Sequence, residues 1–284
     1  MGEHGMSFNP DEEKPTRPVT PESVRNKVDL AMKPFGQMDI AGKDALVEFQ
    51  EKNPDAKFIM AGSHFGMDVH AALKALGDRF DIQVTGESLV HDEALMEFFI
   101  KTIGEDRFSD LQYKKTSAGK TGVFNPDNFQ ELAEKMEQGR TPWMAINAFA
   151  TDEKMSKAKI GSAYLAQKTG SFVVPTAFYV ENGPSNVATG SDVWRLLKGK
   201  VKGDLKAHYK IGEPMKLEPI ENYQIIEEIY RKRRAKEKVT PEERSEFSRV
   251  NQELKKQSEA IAKAVAELLP EEHRGVYQTE EESS

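Results

Sequence analysis

The chain has 284 residues, with 40 Lys and Arg against 47 Asp and Glu, six His and no Cys. This length can bury the core of one large or two small domains, and the net charge of -7 disfavours a surface that binds nucleic acid as a whole. The lack of Cys excludes disulfides and a cysteine nucleophile, so that any metal would have to be held by His and carboxylates.

The N-terminal residues are polar and rich in proline. Residues 1–22 hold four prolines and many charges, a composition that predicts a flexible arm because it leaves little to bury. No stretch reaches the roughly 20 apolar residues that span a bilayer, and the N-terminus lacks the apolar region of a signal peptide. We therefore expect a cytoplasmic protein.

Between residues 23 and 220, short apolar runs alternate with helical patterns, which is typical of an α/β domain. Gly139 and Gly170 follow the last two helical patterns and predict their ends. The predicted strands are 57–61, 82–85, 143–146, 172–178 and 205–211, and the predicted helices are 41–53, 67–77, 92–103, 127–138 and 157–169.

Residues 221–277 are charge-dense and predict a helical extension. We expect helices at 222–238 and 241–268, because Thr240 supplies a capping hydroxyl and Pro241 suits the first helical position. An apolar stripe predicts that the second helix packs on the core, and it consists of Leu254, Ile261, Val265 and Leu268. Residues 278–284 indicate a solvated tail.

Residues 231–238, RKRRAKEK, carry six basic residues and one acid. One interpretation is a solvated helix face between acidic neighbours. The other is a patch for anionic lipid headgroups or for an acidic carrier protein. The sequence leaves both open.

His64 and Asp68 are the first candidates for chemistry, because they follow the apolar strand at 57–61 and open a helix. Residues four apart on a helix share a face, so that Asp68 can hold the His64 imidazole as in a His-carboxylate pair that deprotonates a substrate hydroxyl. The alternative is an exposed His and an Asp that caps the helix. His70 would face away from Asp68, which disfavours a metal site and indicates a helix-surface or interface residue.

Three further histidines, His91, His208 and His273, are isolated in the sequence and are expected to be structural. The segment SAGKTG at 117–122 lacks the first Gly of a phosphate-binding loop, so we do not expect a nucleotide site.

Six segments between residues 37 and 277 form an ordered series: SHFGMDVHAALKAL, DIQVTGESLVHDEALMEFFIKTIGE, FNPDNFQELAEKMEQGRTPWMAIN, KIGSAYLAQKTGSFVVPTAFY, IGEPMKLEPI and LLPEEHRGVY. In order and spacing this series resembles the glycerolipid (lysophosphatidic acid) acyltransferase family. The first segment is similar to the family's first motif, in which Asn-His, four residues and Asp open a helix.

The resemblance implies an acyltransferase fold, with a mixed, mainly parallel sheet flanked by helices and a C-terminal helical extension. It also implies transfer of a fatty acyl group from acyl-CoA or an acyl-carrier protein to a hydroxyl of a lysophospholipid-like acceptor, without a further cofactor or metal. His64 would be the general base and Asp68 its orienting partner.

The resemblance further implies a set of acceptor-binding residues. The basic residue that holds the acceptor phosphate in the family falls within LQYKKTSAG, at Lys114 or Lys115, and the alternative for these two is a pair of solvated loop lysines. Gly161 belongs to the Lys-x-Gly of the fourth segment, and Asn147, in a stretch where this chain departs from the family, would supply a hydrogen bond at the end of a strand.

Two departures from the family pattern affect the expected function. Only three residues separate His64 from Asp68, and the third motif, Phe-Pro-Glu-Gly-Thr-Arg, is replaced by AINAFATDEKMSK at 145–157. The sequence therefore supports a second hypothesis, a catalytically silent relative that binds lipid or a protein partner.

The absence of an apolar anchor gives the resemblance a further consequence. A chain that acylates lipids would have to touch the inner face of an anionic membrane as a peripheral protein, through the apolar helix at 92–103 or the basic run at 231–238. The helix at 92–103 would also lie near the acyl-chain groove.

Overall fold

The computed structural model describes residues 18–86, 100–111, 126–148, 152–185, 195–196, 198–199, 201–203 and 205–278. The strands are β1 (Met38–Ala41), β2 (Phe58–Gly62), β3 (Asp81–Gly86), β4 (Phe108–Asp110), β5 (Arg140–Ala145), β6 (Phe172–Glu181), β7 (Lys206–Ile211) and β8 (Met215–Lys216). The helices are α1 (Glu22–Met32), α2 (Lys43–Lys52), α3 (Asp68–Leu76), α4 (Pro126–Glu137), α5 (Gly161–Thr169), α6 (Ile225–Ala235) and α7 (Pro241–Glu267). Single helical turns lie at Lys33–Phe35, Glu105–Arg107, Glu271–His273 and Gly275–Tyr277.

The strands form one sheet in the order β1-β7-β6-β2-β5-β3-β4, with β8 paired to β6. Every pair along this order is parallel except β6 with β7, and β8 is also antiparallel to β6. This arrangement confirms the predicted mixed, mainly parallel sheet. Strand β2 lies at its centre, and Gly62 at the carboxyl end of β2 pairs with Ala145 of β5 and Thr176 of β6.

Helices cover both faces of the sheet, as a mainly parallel sheet requires. Residues of α1, α2 and α3 pack with Met60 and Trp143 on one face, while residues of α4, α5, α6 and α7 pack with Ile59 and Ala61 on the other. Neighbouring residues of a strand point to opposite faces. Because β2 is buried throughout, its side chains pack in both halves of the core.

The two C-terminal helices begin and end near the predicted positions. Thr240 accepts a hydrogen bond from the backbone N–H of Glu243, whose side chain accepts one in return from the Thr240 N–H, so that a full capping box starts α7. Leu254, Ile261 and Val265 are buried against α5 and β6, and Leu268 is partly buried.

The predicted arm at 1–22 is wrong over its last residues. Thr20 is fully buried, and its hydroxyl donates to the carbonyl of Phe80 at 2.9 Å and accepts from the N–H of Ile82 at 3.1 Å. Local composition did not reveal these contacts, because they join residues about 60 positions apart. The strand β1 and helix α1 were likewise not predicted.

Other boundaries differ by a few residues. Helix α5 begins at Gly161 rather than at 157. Of the predicted helix at 92–103, residues 100–103 are helical, and 92–99 lie outside the described residues. Over the described stretches of chain, no helix combines the length and apolar character needed to cross a membrane.

Candidate active site

The turn that follows β2 carries His64 at the carboxyl end of the central strand. In doubly wound sheets, ligands bind at this edge. The turn is held on both sides: the Ser63 N–H donates to the carbonyl of Thr176 at 3.3 Å, and the Met67 N–H donates to that of Ser185 at 3.4 Å. Phe65 is fully buried, whereas the His64 side chain is half-buried. His64 is therefore presented by a fixed main chain.

Two glycines give this turn its shape. Gly66 has a φ of 141°, a backbone conformation that residues with a Cβ rarely adopt. A Cβ on Gly62 would lie 2.6 Å from Cζ2 of Trp143, so the indole ring fits over β2 only because residue 62 has no side chain. The Trp143 ring in turn lies 6.3 Å from the His64 ring, at 64° to it.

The Asp68 carboxylate, which is 2% exposed, closes the turn on itself. Its Oδ1 accepts a hydrogen bond from the Ser63 hydroxyl at 3.0 Å. Its Oδ2 accepts two, from the N–H groups of Phe65 and Gly66, each at 2.7 Å. One side chain thereby fixes three positions around His64: Ser63 before it, and Phe65 and Gly66 after it.

These bonds differ from the predicted contact between Asp68 and the His64 ring. Both residues are described, and no hydrogen bond joins the carboxylate to the imidazole. The same-face argument does not hold because α3 starts at Asp68, and His64 therefore lies in the turn before the helix. The catalytic roles of the two residues stay predictions.

Burial raises the pKa of Asp68 to about 7, although the bonds from Gly66, Phe65 and Ser63 act in the opposite direction. All of these donors are neutral, so they offset only part of the cost of removing a carboxylate from water. Tyr209 of β7 is also fully buried; burial raises its pKa, and the nearby charge of Asp68 adds to that effect.

His70 is not the helix-surface residue that the sequence indicated. It is 5% exposed, and burial lowers its pKa to about 4, so that it is neutral near pH 7. Helix α3 is buried nearly all round, because α1 packs on its outer side. No group of three His, Cys, Asp or Glu side chains in the described segments is placed to hold a metal ion.

The predicted acceptor-binding residues have different surroundings. Asn147 follows β5 and is fully buried; its Nδ2 donates to the Ala148 carbonyl at 2.7 Å, while its buried Oδ1 has no hydrogen-bond partner among the described residues. Gly161 begins α5, where a Cβ would lie 3.2 Å from Cε of Met144. Lys114 and Lys115 lie outside the described residues, as does His91.

A groove of about 400 Å³ opens beside the carboxyl end of β6. It is mainly acidic, with the carboxylates of Asp152, Glu153, Glu181 and Glu272 against Arg195 and His273. Its lining includes neither His64 nor Asp68. Four carboxylates disfavour a phosphate in this groove.

His208 and His273 tie chain segments together, in line with the structural roles expected of them. His273 Nδ1 lies 2.9 Å from the carbonyl oxygen of Glu153, and its ring lies 5.9 Å from that of Phe65. His208 Nδ1 lies 3.3 Å from Oδ2 of Asp39, and its ring stacks on that of Tyr179 at 4.8 Å.

Four of the six cations of the basic run have acidic or aromatic neighbours. Arg231 pairs with Glu227 at 3.2 Å and Arg234 with Asp127 at 3.0 Å. Lys232 donates to Glu243, and the Arg233 guanidinium lies 5.1 Å from the centre of the Phe247 ring. These contacts favour the interpretation of a solvated helix face.

Sequence reasoning missed Ser63, Trp143 and Tyr209 as parts of this region. The segment Gly62-Ser63-His64 directly after an apolar strand was the available signal for Ser63. Trp143 and Tyr209 were predicted only as strand residues, and no local pattern relates them to His64.

No protein-family model matches the sequence, and no curated protein sequence matches it either. Among solved structures, the chain is similar to the 1-acyl-sn-glycerophosphate (LPA) acyltransferase PlsC from Thermotoga maritima. The identity is 16%, the match covers 84% of this chain and 78% of that chain, and the TM-score is 0.42. At this level of similarity, the chemistry has to be argued from the residues of this chain.

Proposed function

We propose that this protein transfers a fatty acyl group from the thioester of acyl-CoA or an acyl-carrier protein to a hydroxyl of a lysophospholipid-like acceptor. The observation that carries the proposal is the position of His64, on a fixed turn at the carboxyl end of the central strand. The ordered series of sequence segments around it, which resembles the glycerolipid acyltransferases, supports the same chemistry.

In the proposed reaction, His64 takes the proton of the acceptor hydroxyl as a general base. The oxygen attacks the thioester carbonyl and forms a tetrahedral intermediate, which collapses as the C–S bond breaks. The proton on His64 then passes to the leaving thiolate, so that the products are an ester and the free carrier thiol. Asp68 acts as the orienting partner of His64.

The oxyanion of the intermediate needs hydrogen-bond donors. Four amides of the turn are already engaged, since Ser63 and Met67 donate to carbonyls and Phe65 and Gly66 donate to Asp68. The donors must therefore come from other groups. For the acceptor, we propose that Lys114 or Lys115 binds a phosphate. We propose Asn147, which follows β5, and Gly161, at the start of α5, as further acceptor-binding residues.

A catalytically silent lipid- or protein-binding role is the second candidate. It is favoured by the absence of the third motif at 145–157 and by the acidic groove beside it, which is unsuited to a phosphate acceptor. It is disfavoured by the tightly held presentation of His64, which a silent protein has no need to keep.

Thiol release from a panel of acyl-CoAs and acyl-carrier proteins distinguishes the two candidates. We expect the parent protein to release thiol when a lysophospholipid is present, and His64→Ala to lose at least about 100-fold in rate. His208→Ala is the matched control, because His208 lies on β7, where its Nδ1 lies 3.3 Å from Oδ2 of Asp39 and its ring stacks on that of Tyr179. Equal rates in the parent and His64→Ala would reject the enzymatic role. Mass analysis of the lipid products identifies the acceptor.

We also propose that the protein is cytoplasmic and meets the inner face of the membrane transiently, as a peripheral protein. The basic run contributes little to this contact, because four of its six cations already have acidic or aromatic partners. Sedimentation with phosphatidylglycerol vesicles, compared with phosphatidylcholine vesicles, tests the contact. Equal recovery in both supernatants would rule out recognition of anionic lipid.

A further inference from the structure

We infer that Asp68 positions His64 through the main chain of the turn at 63–66 rather than through the imidazole ring, and that Ser63 is the second member of this device. The inference rests on the proposed role of His64 as the base. It changes the chemistry that residue 68 must supply, from a negative charge to a pair of correctly placed hydrogen-bonding atoms.

The two carboxylate oxygens have separate tasks. Oδ2 accepts both main-chain bonds, from Phe65 and Gly66 at 2.7 Å, while Oδ1 contacts only the Ser63 hydroxyl, at 3.0 Å, among the hydrogen bonds between described residues. One donor, Ser63, directly precedes His64, and the other two, Phe65 and Gly66, follow it. The bonds therefore fix the direction in which the Cα–Cβ bond of His64 leaves the chain.

The geometry of the turn depends on these bonds. Ser63 is fully buried, and so is Phe65. Gly66 holds a φ of 141°, a conformation that relaxes readily because glycine has many others available. Without the side chain of Asp68, the N–H groups of Phe65 and Gly66 would lose their acceptor, which leaves the bonds of Ser63 and Met67 at the two ends of the turn.

This division of tasks predicts how residue 68 responds to substitution. An Asn side chain can place its oxygen where Oδ2 lies and its NH₂ group where Oδ1 lies. The Ser63 hydroxyl can reverse its role, because a hydroxyl both donates and accepts. Asp68→Asn therefore preserves all three bonds, whereas Asp68→Ala removes them. A carboxylate that orients an imidazole behaves differently, since its replacement by Asn in a Ser-His-Asp triad lowers kcat about 10⁴-fold.

The first test compares Asp68→Asn with Asp68→Ala in the full chain, by amide hydrogen exchange and by thiol release. For Asp68→Asn we expect Phe65 and Gly66 amides as protected as in the parent, and a rate within about threefold. For Asp68→Ala we expect exchange at those amides to accelerate at least about tenfold, and the rate to fall about 100-fold as His64 moves.

The second test asks whether Ser63 and residue 68 act together. Ser63→Ala alone removes one of three donors to a carboxylate that keeps its other two, and we expect a fall in rate of a few fold. Combined with Asp68→Asn, it leaves the new amide N–H without an acceptor, so we expect the double variant to lose at least about tenfold more than the product of the single effects.

Two outcomes would overturn the inference. One is a rate for Asp68→Asn as low as that of Asp68→Ala while its Phe65 and Gly66 amides stay protected, which would assign the charge a direct role on the ring. The other is unchanged amide protection in a folded Asp68→Ala. If the parent transfers no acyl group at all, the proposed function fails, but hydrogen exchange still decides whether Asp68 holds the turn.

Discussion

Asp68 and Glu227 are both largely buried carboxylates, but the regions around them differ in the charge of their hydrogen-bond partners. Asp68 accepts from a hydroxyl and two backbone amides. Glu227, on α6, accepts from the Tyr164 hydroxyl, from Lys168 at 2.7 Å and from Arg231 at 3.2 Å. Asp68 thereby holds a turn of the main chain, whereas Glu227 links its own helix to α5 through Tyr164 and Lys168.

The pKa values of the two groups follow from these partners. Burial is the largest effect on both and raises both. For Glu227, the bonds from Lys168 and Tyr164 and the charges of Lys168 and Arg231 outweigh burial and lower the pKa below its ordinary value. For Asp68 the neutral donors leave the pKa raised, at about 7. Glu227 is thus ionised throughout the physiological range, while Asp68 titrates within it.

The largest expected effect is a pH-dependent difference in unfolding free energy between Asp68→Asn and the parent. The folded-state pKa of Asp68, about 7, lies above its ordinary value of 3.8, so the folded state binds more protons between these values and stability falls as pH rises through this window. Asp68→Asn removes this loss. We expect the free energy of unfolding of Asp68→Asn to rise relative to the parent between pH 4 and pH 7, by up to about 4 kcal/mol.

Urea titrations of both proteins at several pH values measure that difference, and a constant difference would contradict the raised pKa of Asp68. The pH dependence of the parent's stability does not isolate Asp68, because the titration of His70 changes stability in the opposite direction. Its lowered pKa of about 4 gives stability that is present above pH 6.5 and lost as pH falls. In the parent the two effects partly cancel.

Gly62→Ala tests how closely the site region is packed. Its Cβ would lie 2.6 Å from the Trp143 ring on a buried central strand, so we expect a loss of about 3 kcal/mol in unfolding free energy. Gly212→Ala is the control, because its Cβ would lie at an ordinary 3.4 Å from Cβ of Pro175. Equal losses for the two variants would show that the Trp143 contact is unimportant.

Glu227→Gln tests the other region. It removes the charge that Lys168 and Arg231 share, and we expect a loss of roughly 2 kcal/mol at pH 7, smaller than for a fully enclosed ion pair. Glu227 contributes stability above its ordinary pKa of 4.5 and loses it as pH falls. The destabilisation measured in urea should therefore shrink below about pH 4, and a loss that grows there would reject the assignment.

Arg234→Ala should have the smallest effect. Its guanidinium pairs with Asp127 at 3.0 Å, but both side chains are more than half exposed. Water and salt screen such pairs, so we expect a change in unfolding free energy below about 0.5 kcal/mol. A change as large as that of Glu227→Gln would mean that exposure does not separate the two pairs.

The sequence predicted the fold better than it predicted the site. Short apolar runs located β2, β5 and β6, helical periodicity located α4 and α7, and Thr240 with Pro241 marked the start of α7. Thr20 was assigned to a flexible arm, since its partners at residues 80 and 82 are remote in the chain. For His64 and Asp68 the sequence predicted a contact between the two side chains, and the structure instead joins Asp68 to the main chain and to Ser63.

The internal geometry of that segment was beyond the sequence for a physical reason. Whether Asp68 bonds the His64 ring or the main chain depends on where α3 begins and on the φ of Gly66, and spacing alone does not specify either. The burial of His70 depends likewise on α1, which packs over α3 and was not predicted.

The rate of ester formation tests the role of His64 most directly. It is followed by mass spectrometry with a lysophospholipid and the thioester that the parent cleaves fastest. For His64→Ala we predict a rate at least about 100-fold below that of the parent, with the fold retained. Asp68→Asn should stay within about threefold of the parent. Ester formation by His64→Ala at the parental rate would contradict the central claim that His64 is the base.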